Sequence, residues 1–414
     1  MSFHRHRIAL SLGVLLLVSG LSPTALAQQD ECANPVKAKV YAIDQPFFLN
    51  RLGAMMPEGM VFALARDVVT LDQSKCQSGQ YCPKYALRPG KRPRPLVLRV
   101  NQGQCLQIEF TNHLSELVAP VPGICLKTGT VDGKTVCVER VQPATRHASI
   151  HVAGMQMVEA ISDDGSFVGV NNGPPCAGNK AGDTTPCGSL AAPGGTITYL
   201  LRATHQGTFL LNSEGAAWGG LNQPNDGAQV TAGLFGAVHV EPPKSIWLRS
   251  QITHDEMMQA LDKKQGNNGF SPTGQPFLDF KSPVLRMLDA NNEIVHSDLT
   301  AVIAGPEPSY MFPDDPNDPN TSKVPYEPRR REPFREFTIE YHELNDAQQA
   351  FPIFDYQKAA LTRTLQAAGD AFAINYGSGG IGAEILANRF GLGPMNSCAD
   401  CRFEEFFLSS WTVG

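Results

Sequence analysis

Histidines are the first residues to consider for chemistry in this chain, because the neutral imidazole nitrogen is the commonest metal ligand in proteins. His147 and His151 lie four positions apart. A helix would bring both rings to one ion, but the surrounding alternation favours a strand, which separates them by roughly 13 Å. The two rings are therefore too far apart to bind one ion. His151 stays a candidate metal ligand, with a packing or hydrogen-bonding role as the alternative. Five further histidines are isolated, and we interpret these as structural or surface residues: His205, His239, His254, His296 and His342.

Cys398 and Cys401 form a C-x-x-C pair near the end of the chain. That spacing suits a tight disulfide, half of a zinc site or a thiol redox pair. No second C-x-x-C accompanies the pair, and Arg402 follows it where attachment of a c-type haem requires histidine. We interpret the pair first as a disulfide, and metal binding and redox chemistry stay open as alternatives.

Three loop motifs are weaker candidates. The glycine-rich residues 377–382 lack the following Lys-Ser/Thr of a phosphate-binding loop, so they are interpreted as a plain turn. Carboxylates at 163–164 and at 314–318 have the oxygen atoms that Ca²⁺ prefers, but their spacing differs from that of a known calcium loop. We interpret both as solvated acidic turns.

Short alternating strands must position these residues. Runs of alternating or continuous apolar residues, separated by Gly, Pro and Asn, occur at 36–44, 96–100, 105–112, 147–152, 195–202, 207–211 and 234–240. This texture predicts an all-β chain folded as a Greek-key sandwich or barrel. Residues 96–112 are predicted to form a β-hairpin with one wet face, and residues 207–241 two apolar strands joined by a Gly/Asn/Asp-rich loop. Residues 293–303 indicate a further strand.

The helical pattern is weak. Residues 252–262 predict a short helix begun by Thr253, and residues 356–368 predict another. Residues 246–305 are therefore interpreted as a mixed β/α connecting region. The proline-rich residues 306–335 cannot bury a core and are predicted to be an exposed linker. Residues 336–414 resume the alternating pattern and predict the start of a second β domain that is cut off near its beginning.

The N-terminus predicts export. Residues 1–27 combine two arginines, an apolar run too short to span a bilayer, and an Ala-Leu-Ala ending, which is typical of a cleaved signal peptide. Its removal changes the net charge from −6 to −8, which argues against nucleic acid or an anionic membrane as partner. The sequence has no membrane-spanning run elsewhere, so we expect a periplasmic or extracellular location.

Ten cysteines suit that destination, because disulfides persist in oxidising compartments. Cys76 with Cys82, and Cys176 with Cys187, would close short loops. One of three cysteines is expected to pair with Cys32, and the sequence leaves the choice open: Cys105, Cys125 or Cys137.

Several segments together resemble a known family. The segments at 101–112, 149–154, 198–203, 207–209 and 233–242 are similar in order and spacing, over roughly residues 36–245, to the first plastocyanin-like (cupredoxin) domain of a multicopper oxidase. Residues 41–46, 293–299 and 398–411 resemble the N-terminal part of the large bacterial multicopper oxidases that oxidise manganese. The resemblance implies a cupredoxin-like Greek-key sandwich over residues 28–245 and copper-dependent oxidation, with Mn(II) as a possible substrate and oxygen as the acceptor.

The copper ligands that the resemblance implies are largely missing. The family places alternating His-x-His pairs on its strands, because residues i and i+2 point to the same face. Here His151 is kept, but Ala153, Asn212 and Glu214 occupy the other ligand positions. A blue-copper centre needs a Cys thiolate beside two imidazoles, and the sequence contains no His-Cys-His.

Three functions fit these observations. The first is an exported multicopper-oxidase-like protein in which this chain is a scaffold, while a downstream or partner chain carries the remaining cupredoxin domains and their copper. The second is a non-enzymatic cupredoxin-like module for binding or assembly that holds no copper. The third is a thiol-active protein that works through Cys398 and Cys401.

Overall fold

The computed structural model describes residues 32–48, 55–56, 59–75, 83–115, 128–131, 133–137, 145–166, 188–215, 229–305, 333–343 and 372–376. These residues form the strands β1 (Val36–Asp44), β2 (Phe47–Phe48), β3 (Met55–Met56), β4 (Met60–Leu64), β5 (Val68–Thr70), β6 (Tyr85–Leu87), β7 (Leu96–Asn101), β8 (Cys105–Asn112), β9 (Thr128–Val131), β10 (Lys134–Cys137), β11 (His151–Val152), β12 (Gln156–Met157), β13 (Thr196–Arg202), β14 (Gly207–Asn212), β15 (Phe235–Glu241), β16 (Ile246–Arg249), β17 (Thr300–Ala304), β18 (Phe334–Phe337), β19 (Tyr341–Glu343) and β20 (Phe372–Ile374). The helix α1 (His254–Gln259) and the 3₁₀ turns Ala65–Asp67, Gln73–Lys75 and Ile161–Asp164 complete the elements.

A five-stranded sheet with the order β12-β13-β8-β1-β4 forms one layer. Its central strands β1 and β8 run parallel, with Val36 opposite Leu106, and β13 and β4 flank them in antiparallel pairs. Alternate side chains of β8 are buried, as the alternating sequence predicts for a strand with one wet face. Cys32 forms a disulfide with Cys105, which fastens the start of β8 to the residues just before β1.

A four-stranded sheet with the order β11-β14-β15-β7 forms the facing layer. The antiparallel pair of β14 and β15 places Gly207 opposite Val240, which confirms the two strands expected within residues 207–241. Side chains of both sheets share one buried apolar cluster that includes Val40, Phe110, Leu98 and Val238. Burial of this cluster between two sheets is the main contribution to the stability of such a sandwich.

The hairpin predicted for residues 96–112 is wrong. β7 and β8 belong to different sheets: β7 pairs in parallel with β15, and β8 pairs with β1 and β13. All six residues of β7 are buried, because the sandwich core covers one face of the strand and the connecting region covers the other. Continuous burial of this kind is typical of a parallel strand. The turn at 102–104 thus carries the chain from one layer to the next.

The connecting region packs on the outer face of the four-stranded sheet. β16 and β17 pair with each other, and β18 joins them as the third strand. The indole Nε1 of Trp247 donates to Oδ1 of Asn101 at 3.0 Å, which ties β16 to β7. Polar groups of β7 and β15 that face outward are therefore covered by protein rather than by water.

The helix predicted within residues 252–262 is confirmed as α1, and Thr253 is its N-cap. The hydroxyl of Thr253 accepts the N–H of Glu256, and the Glu256 carboxylate accepts the N–H of Thr253 at 2.8 Å, so two free backbone N–H groups of the first turn are satisfied. The strand predicted at 293–303 is shorter than expected, because β17 begins at Thr300. The predicted helix at 356–368 lies outside the described residues.

The described part of the chain is nearly all β and contains one short α-helix, so the predicted all-β class is confirmed. No helix in that part is long and apolar enough to cross a membrane. The predicted signal peptide at 1–27 and residues 306–332 of the predicted linker fall outside it. The domain boundaries remain predictions.

Candidate functional site

The positions at which copper ligands are expected lie together at one end of the four-stranded sheet. β11 pairs with β14, and His151 stands directly opposite Asn212. Strand alternation brings Glu214, two residues after Asn212, to the same place. Ala153 follows β11, and its N–H donates to the carbonyl of Leu210 at 3.0 Å. The fold thus brings the four positions into one neighbourhood.

Asn212 is a structural residue in this arrangement. Its side chain is buried, and its Nδ2 donates to Oε1 of Glu214 at 2.8 Å. The N–H of Glu214 in turn donates to the hydroxyl of Ser149 at 3.1 Å. The amide and the carboxylate therefore satisfy each other, as buried polar groups must.

His151 is held by one ring nitrogen. Its Nδ1 lies 2.6 Å from the carbonyl oxygen of Asp164, so the Nδ1–H donates and Nε2 keeps its lone pair. The ring is partly exposed, and this hydrogen bond is the kind that orients a metal-binding imidazole. His151 alone could hold an ion through Nε2.

The residues at this end of the sheet do not fit a copper centre. Ala153 has no donor atom, and Asn212 offers an amide that already bonds Glu214. One imidazole and one shared carboxylate fall short of the imidazole-rich set that copper requires in a cupredoxin. His147, the other histidine of this region, contacts the hydroxyl of Thr145 at 3.2 Å and is exposed.

The structure corrects the interpretation of Asp163 as a solvated residue. Asp163 was interpreted as part of a solvated acidic turn, but its side chain is fully buried. Its carboxylate accepts the N–H groups of Glu159, Ala160 and Leu200 at 2.9 to 3.1 Å. Burial raises the pKa of Asp163, and the three hydrogen bonds oppose that rise. The carboxylate therefore holds together the loop that carries Asp164, the partner of His151.

A second polar cluster lies on the buried outer face of the same sheet. β15 presents His239 and Glu241 on one face, β7 presents Arg99 directly opposite His239, and β18 places Glu336 over them. His239, Glu241 and Glu336 each offer a ligand atom within 4.8 Å of the others. In the part of the chain that the structure describes, this is the one group of three or more such residues close enough to hold a metal ion.

The Arg99 guanidinium is the counter-charge of this cluster. Its Nε and Nη2 donate to Oε1 of Glu336 at 2.9 and 2.5 Å, and its Nη1 donates to the carbonyl of Asp298 at 2.9 Å. Nε lies 3.8 Å from Oε1 of Glu241, beyond hydrogen-bond range. Oε1 of Glu241 has no hydrogen-bond partner among the described residues, although it is completely buried.

Burial and neighbouring charges shift the pKa values of Glu241 and Glu336 in opposite directions. Burial, together with the hydrogen bond and charge of Glu336, raises the pKa of Glu241 to about 9. Burial would also raise the pKa of Glu336, but the positive charge of Arg99 and the hydrogen bond with Glu241 outweigh it and lower that pKa. Burial lowers the pKa of His239. At neutral pH the cluster therefore holds protonated Glu241, ionised Glu336, neutral His239 and positively charged Arg99.

Sequence reasoning missed this cluster because it treated His239 as isolated. The signal was present: His239-Val240-Glu241 alternates on a strand, so the imidazole and the carboxylate share a face. Glu336 lies 95 positions further along the chain, and the pattern of one strand does not reveal what packs over it.

Asp298 organises a third polar group beside a surface groove that Arg94, Arg249 and Tyr341 help to line. Arg94 Nη2 and Arg249 Nε contact its two carboxylate oxygens at 2.7 and 3.1 Å. Arg249 also donates to Glu256 at 2.6 Å. Burial, with the charge of Arg249 as the next cause, lowers the pKa of His296 to about 4, so this imidazole is neutral. The two arginines are neutralised within the group and do not form a free anion site.

Cys398 and Cys401 lie outside the described residues, as do the loop at 377–382 and the acidic turn at 314–318. Of the predicted disulfides, the pairing of Cys32 is resolved in favour of Cys105. The pairs Cys76 with Cys82 and Cys176 with Cys187 also lie outside.

Comparison with known proteins gives structural likeness only. No protein-family model matches the sequence, and no curated protein matches it. Among solved structures, a multicopper oxidase from Pseudomonas thermotolerans is 17% identical, with 50% of this chain and 30% of that one covered and a TM-score of 0.23. A laccase from Botrytis aclada is also 17% identical, with 52% and 24% covered and a TM-score of 0.25.

A blue copper oxidase from Nitrosomonas europaea is similar to the same extent. It is 17% identical, with 54% of this chain and 41% of that one covered and a TM-score of 0.24. The chain thus spans less than half the length of each of these three structures.

Proposed function

We propose that this chain is an exported, multicopper-oxidase-like protein whose residues 28–245 form a cupredoxin-like scaffold domain without a copper centre of its own. Copper-dependent oxidation, with Mn(II) as the proposed substrate and oxygen as the acceptor, would depend on copper ligands in further domains or on a partner chain. Residues 246–305 connect this domain to the linker and to a second cupredoxin-like domain from residue 336.

The single observation that carries this proposal is the contact of Asn212 with Glu214 opposite His151. The strand pairing that would bring imidazoles together is kept, while the side chains at those positions bond to each other instead. The four positions are still brought together, but most of their metal-binding side chains are missing. This is the pattern expected for a scaffold domain that has lost its metal.

The same contact supports the alternative function, a non-enzymatic cupredoxin-like binding or assembly module. In that case no copper-bearing partner exists, and the frame itself is what the protein contributes. Both proposals hold that this domain has no copper centre of its own. They differ in whether a copper-bearing domain or partner chain accompanies it.

The test is to restore the missing donors. We expect the purified wild-type chain, after incubation with Cu²⁺ and removal of free metal, to show no absorption near 600 nm and no bound copper that the substitution H151Q removes. The triple variant A153H/N212H/E214H should gain tightly held copper by metal analysis, because its side chains recreate two His-x-His pairs. A double variant A153S/E214Q, which adds no imidazole, is the matched control.

Stoichiometric copper that is bound by the wild-type chain and lost in H151Q, but kept in H239Q, would overturn the proposal that the positions around His151 hold no copper centre. The functional alternatives separate in a second assay, in which the chain is mixed with the exported proteins of its source and Mn(II) oxidation is followed. Oxidation that requires both the chain and a copper-containing partner supports the oxidase. Stable complexes without copper support the assembly module.

A further inference from the structure

The cluster on the outer face of the second sheet has the composition of a metal site. His239, Glu241 and Glu336 place one nitrogen and two carboxylate oxygens within 4.8 Å of one another. All three side chains are largely buried, at 4 to 14% exposure. Oε1 of Glu241 is buried without a partner among the described residues. A buried polar atom left unpaired costs free energy, so such an atom points to a ligand or to a role beyond packing.

We propose that His239, Glu241 and Glu336 bind a divalent transition-metal ion. This site lies on the face of the sheet that the connecting region covers, and it shares no residue with the positions at His151 and Asn212. It therefore goes beyond the proposed scaffold function.

The surroundings orient the three ligands. Nε2 of His239 lies 2.9 Å from the hydroxyl of Thr338, which can accept the Nε2–H and leave the lone pair on Nδ1. Nδ1 in turn lies 3.4 Å from Oε2 of Glu336 and 3.0 Å from the hydroxyl of Thr208. The Arg99 guanidinium donates to the other oxygen of Glu336, Oε1. The atoms that would contact a metal ion are thus Nδ1 of His239, Oε2 of Glu336 and Oε1 of Glu241. Oε1 of Glu241 has no hydrogen-bond partner among the described residues, whereas an ion would displace the contact between Nδ1 and the Thr208 hydroxyl.

Charge sets the conditions for binding. With both carboxylates ionised and His239 neutral, the side chains together with Arg99 carry a net charge of −1. That net negative charge favours a bound dication, and the positive charge of Arg99 opposes it, so the two effects together set the affinity.

The ligand types select the class of ion. An imidazole together with carboxylates suits Zn²⁺, Mn²⁺ or Fe²⁺, whereas Ca²⁺ and Mg²⁺ prefer oxygen-only sets. No thiolate is present among the three, which disfavours Cu(I). For a given site of this kind Zn²⁺ binds more tightly than Mn²⁺.

The test uses the full mature chain, freed of metal with a chelator and titrated with Zn²⁺, Mn²⁺ and Mg²⁺ by calorimetry. We expect one Zn²⁺ per chain, weaker Mn²⁺ and no Mg²⁺ at this site. E241Q should weaken Zn²⁺ binding by at least about tenfold. The amide has nearly the size and shape of the carboxyl group, so the variant is expected to fold.

Two controls separate this site from surface binding. E293Q alters a half-exposed carboxylate, and H205Q alters an exposed histidine, so neither should change the affinity. H239Q serves as a second ligand variant and should weaken binding as E241Q does. Absence of Zn²⁺ binding by the wild type, or equal affinity in the wild type, E241Q and H239Q, overturns the proposal.

Discussion

The partly exposed end of β11 and β14 and the buried face of β15 both bring a histidine near carboxylates, but their polar atoms are satisfied differently. His151 bonds a backbone carbonyl, Asn212 bonds Glu214, and solvent reaches the ring and the carboxylate. Around His239, protein groups supply nearly every contact, and one carboxyl oxygen has none in the described structure.

This difference predicts where a substitution should lower the free energy of unfolding most. At the end of β11 and β14, His151 and Glu214 are partly exposed, so water can replace a lost partner and their contacts contribute modestly to stability. On the buried face, the removal of one charge leaves the others desolvated and unpaired. The two regions can therefore be compared by the stability of matched variants.

The largest effect is expected for Arg99→Met. The variant removes the charge that holds Glu336 and leaves two carboxyl groups buried without a cation. We expect the free energy of unfolding to fall by about 3–5 kcal/mol at neutral pH, measured by urea denaturation. Arg88→Met breaks a more exposed contact to Asp67 and should cost less than about 1 kcal/mol. Equal losses in both variants would show that burial does not distinguish the regions.

A pH effect is expected from Glu340, which lies just beyond β18. Both of its carboxyl oxygens are buried without hydrogen-bond partners in the described part of the chain, and burial raises its pKa to about 8. The folded state holds a proton that the unfolded state releases above its ordinary pKa. Stability should therefore fall as the pH rises from about 5 to 8, by at most about 1.4 kcal/mol per pH unit for one such proton.

Glu340→Gln isolates this contribution, because the amide cannot ionise. Thermal unfolding from pH 5 to 9 should show a shallower pH dependence for the variant, and the variant should be the more stable protein at pH 9. Part of the slope should remain, since the pKa of Glu241 is also raised. Identical pH profiles would mean that Glu340 is ionised or solvated in the folded protein.

An intermediate effect is expected for Asp163→Ala, in the loop that holds Asp164 against His151. The variant leaves three backbone N–H groups without their acceptor in a buried place. We expect a loss of about 2–3 kcal/mol in chemical denaturation, because unpaired buried donors are costly. The neighbouring Asp164→Ala changes a partly exposed side chain and should cost less than about 1 kcal/mol. Equal costs would contradict the structural role of Asp163.

Sequence reasoning reached the all-β class and most strands because period-two alternation reports which face of a strand is buried. It found α1 because the capping residues Thr253 and Glu256 are local. It misplaced β7, since a strand buried on both faces has no alternation and its partner β15 lies about 140 positions away. The pairing of strands is a property of the whole chain.

Like the fold, the candidate sites were predicted from the sequence only in part. The positions of His151 and Asn212 came from the family resemblance, and the structure brings them together. The cluster at His239 depends on Glu336, which reaches it through a third layer that no local pattern specifies. Asp163 was misread for a related reason: a pair of acidic residues before glycine is typical of a surface turn, and only tertiary contacts show that one of them is buried.

The smallest effect, and the sharpest test of the exposed region, is the coupling between Asn212 and Glu214. A double-mutant cycle with N212A and E214A should give an interaction energy of about 0.5–1.5 kcal/mol, because one hydrogen bond to a carboxylate is lost in a partly solvated place. A second cycle that pairs H151A with E214A should give a coupling near zero, since His151 bonds Asp164 instead.

Both cycles are measured with and without a chelator. If the region held an ion, His151 and Glu214 would be coupled through it, and the chelator would abolish that coupling. An unchanged, near-zero value in both conditions separates this region from the cluster at His239, where the same design with H239Q and E241Q should give a coupling that appears only when Zn²⁺ is added.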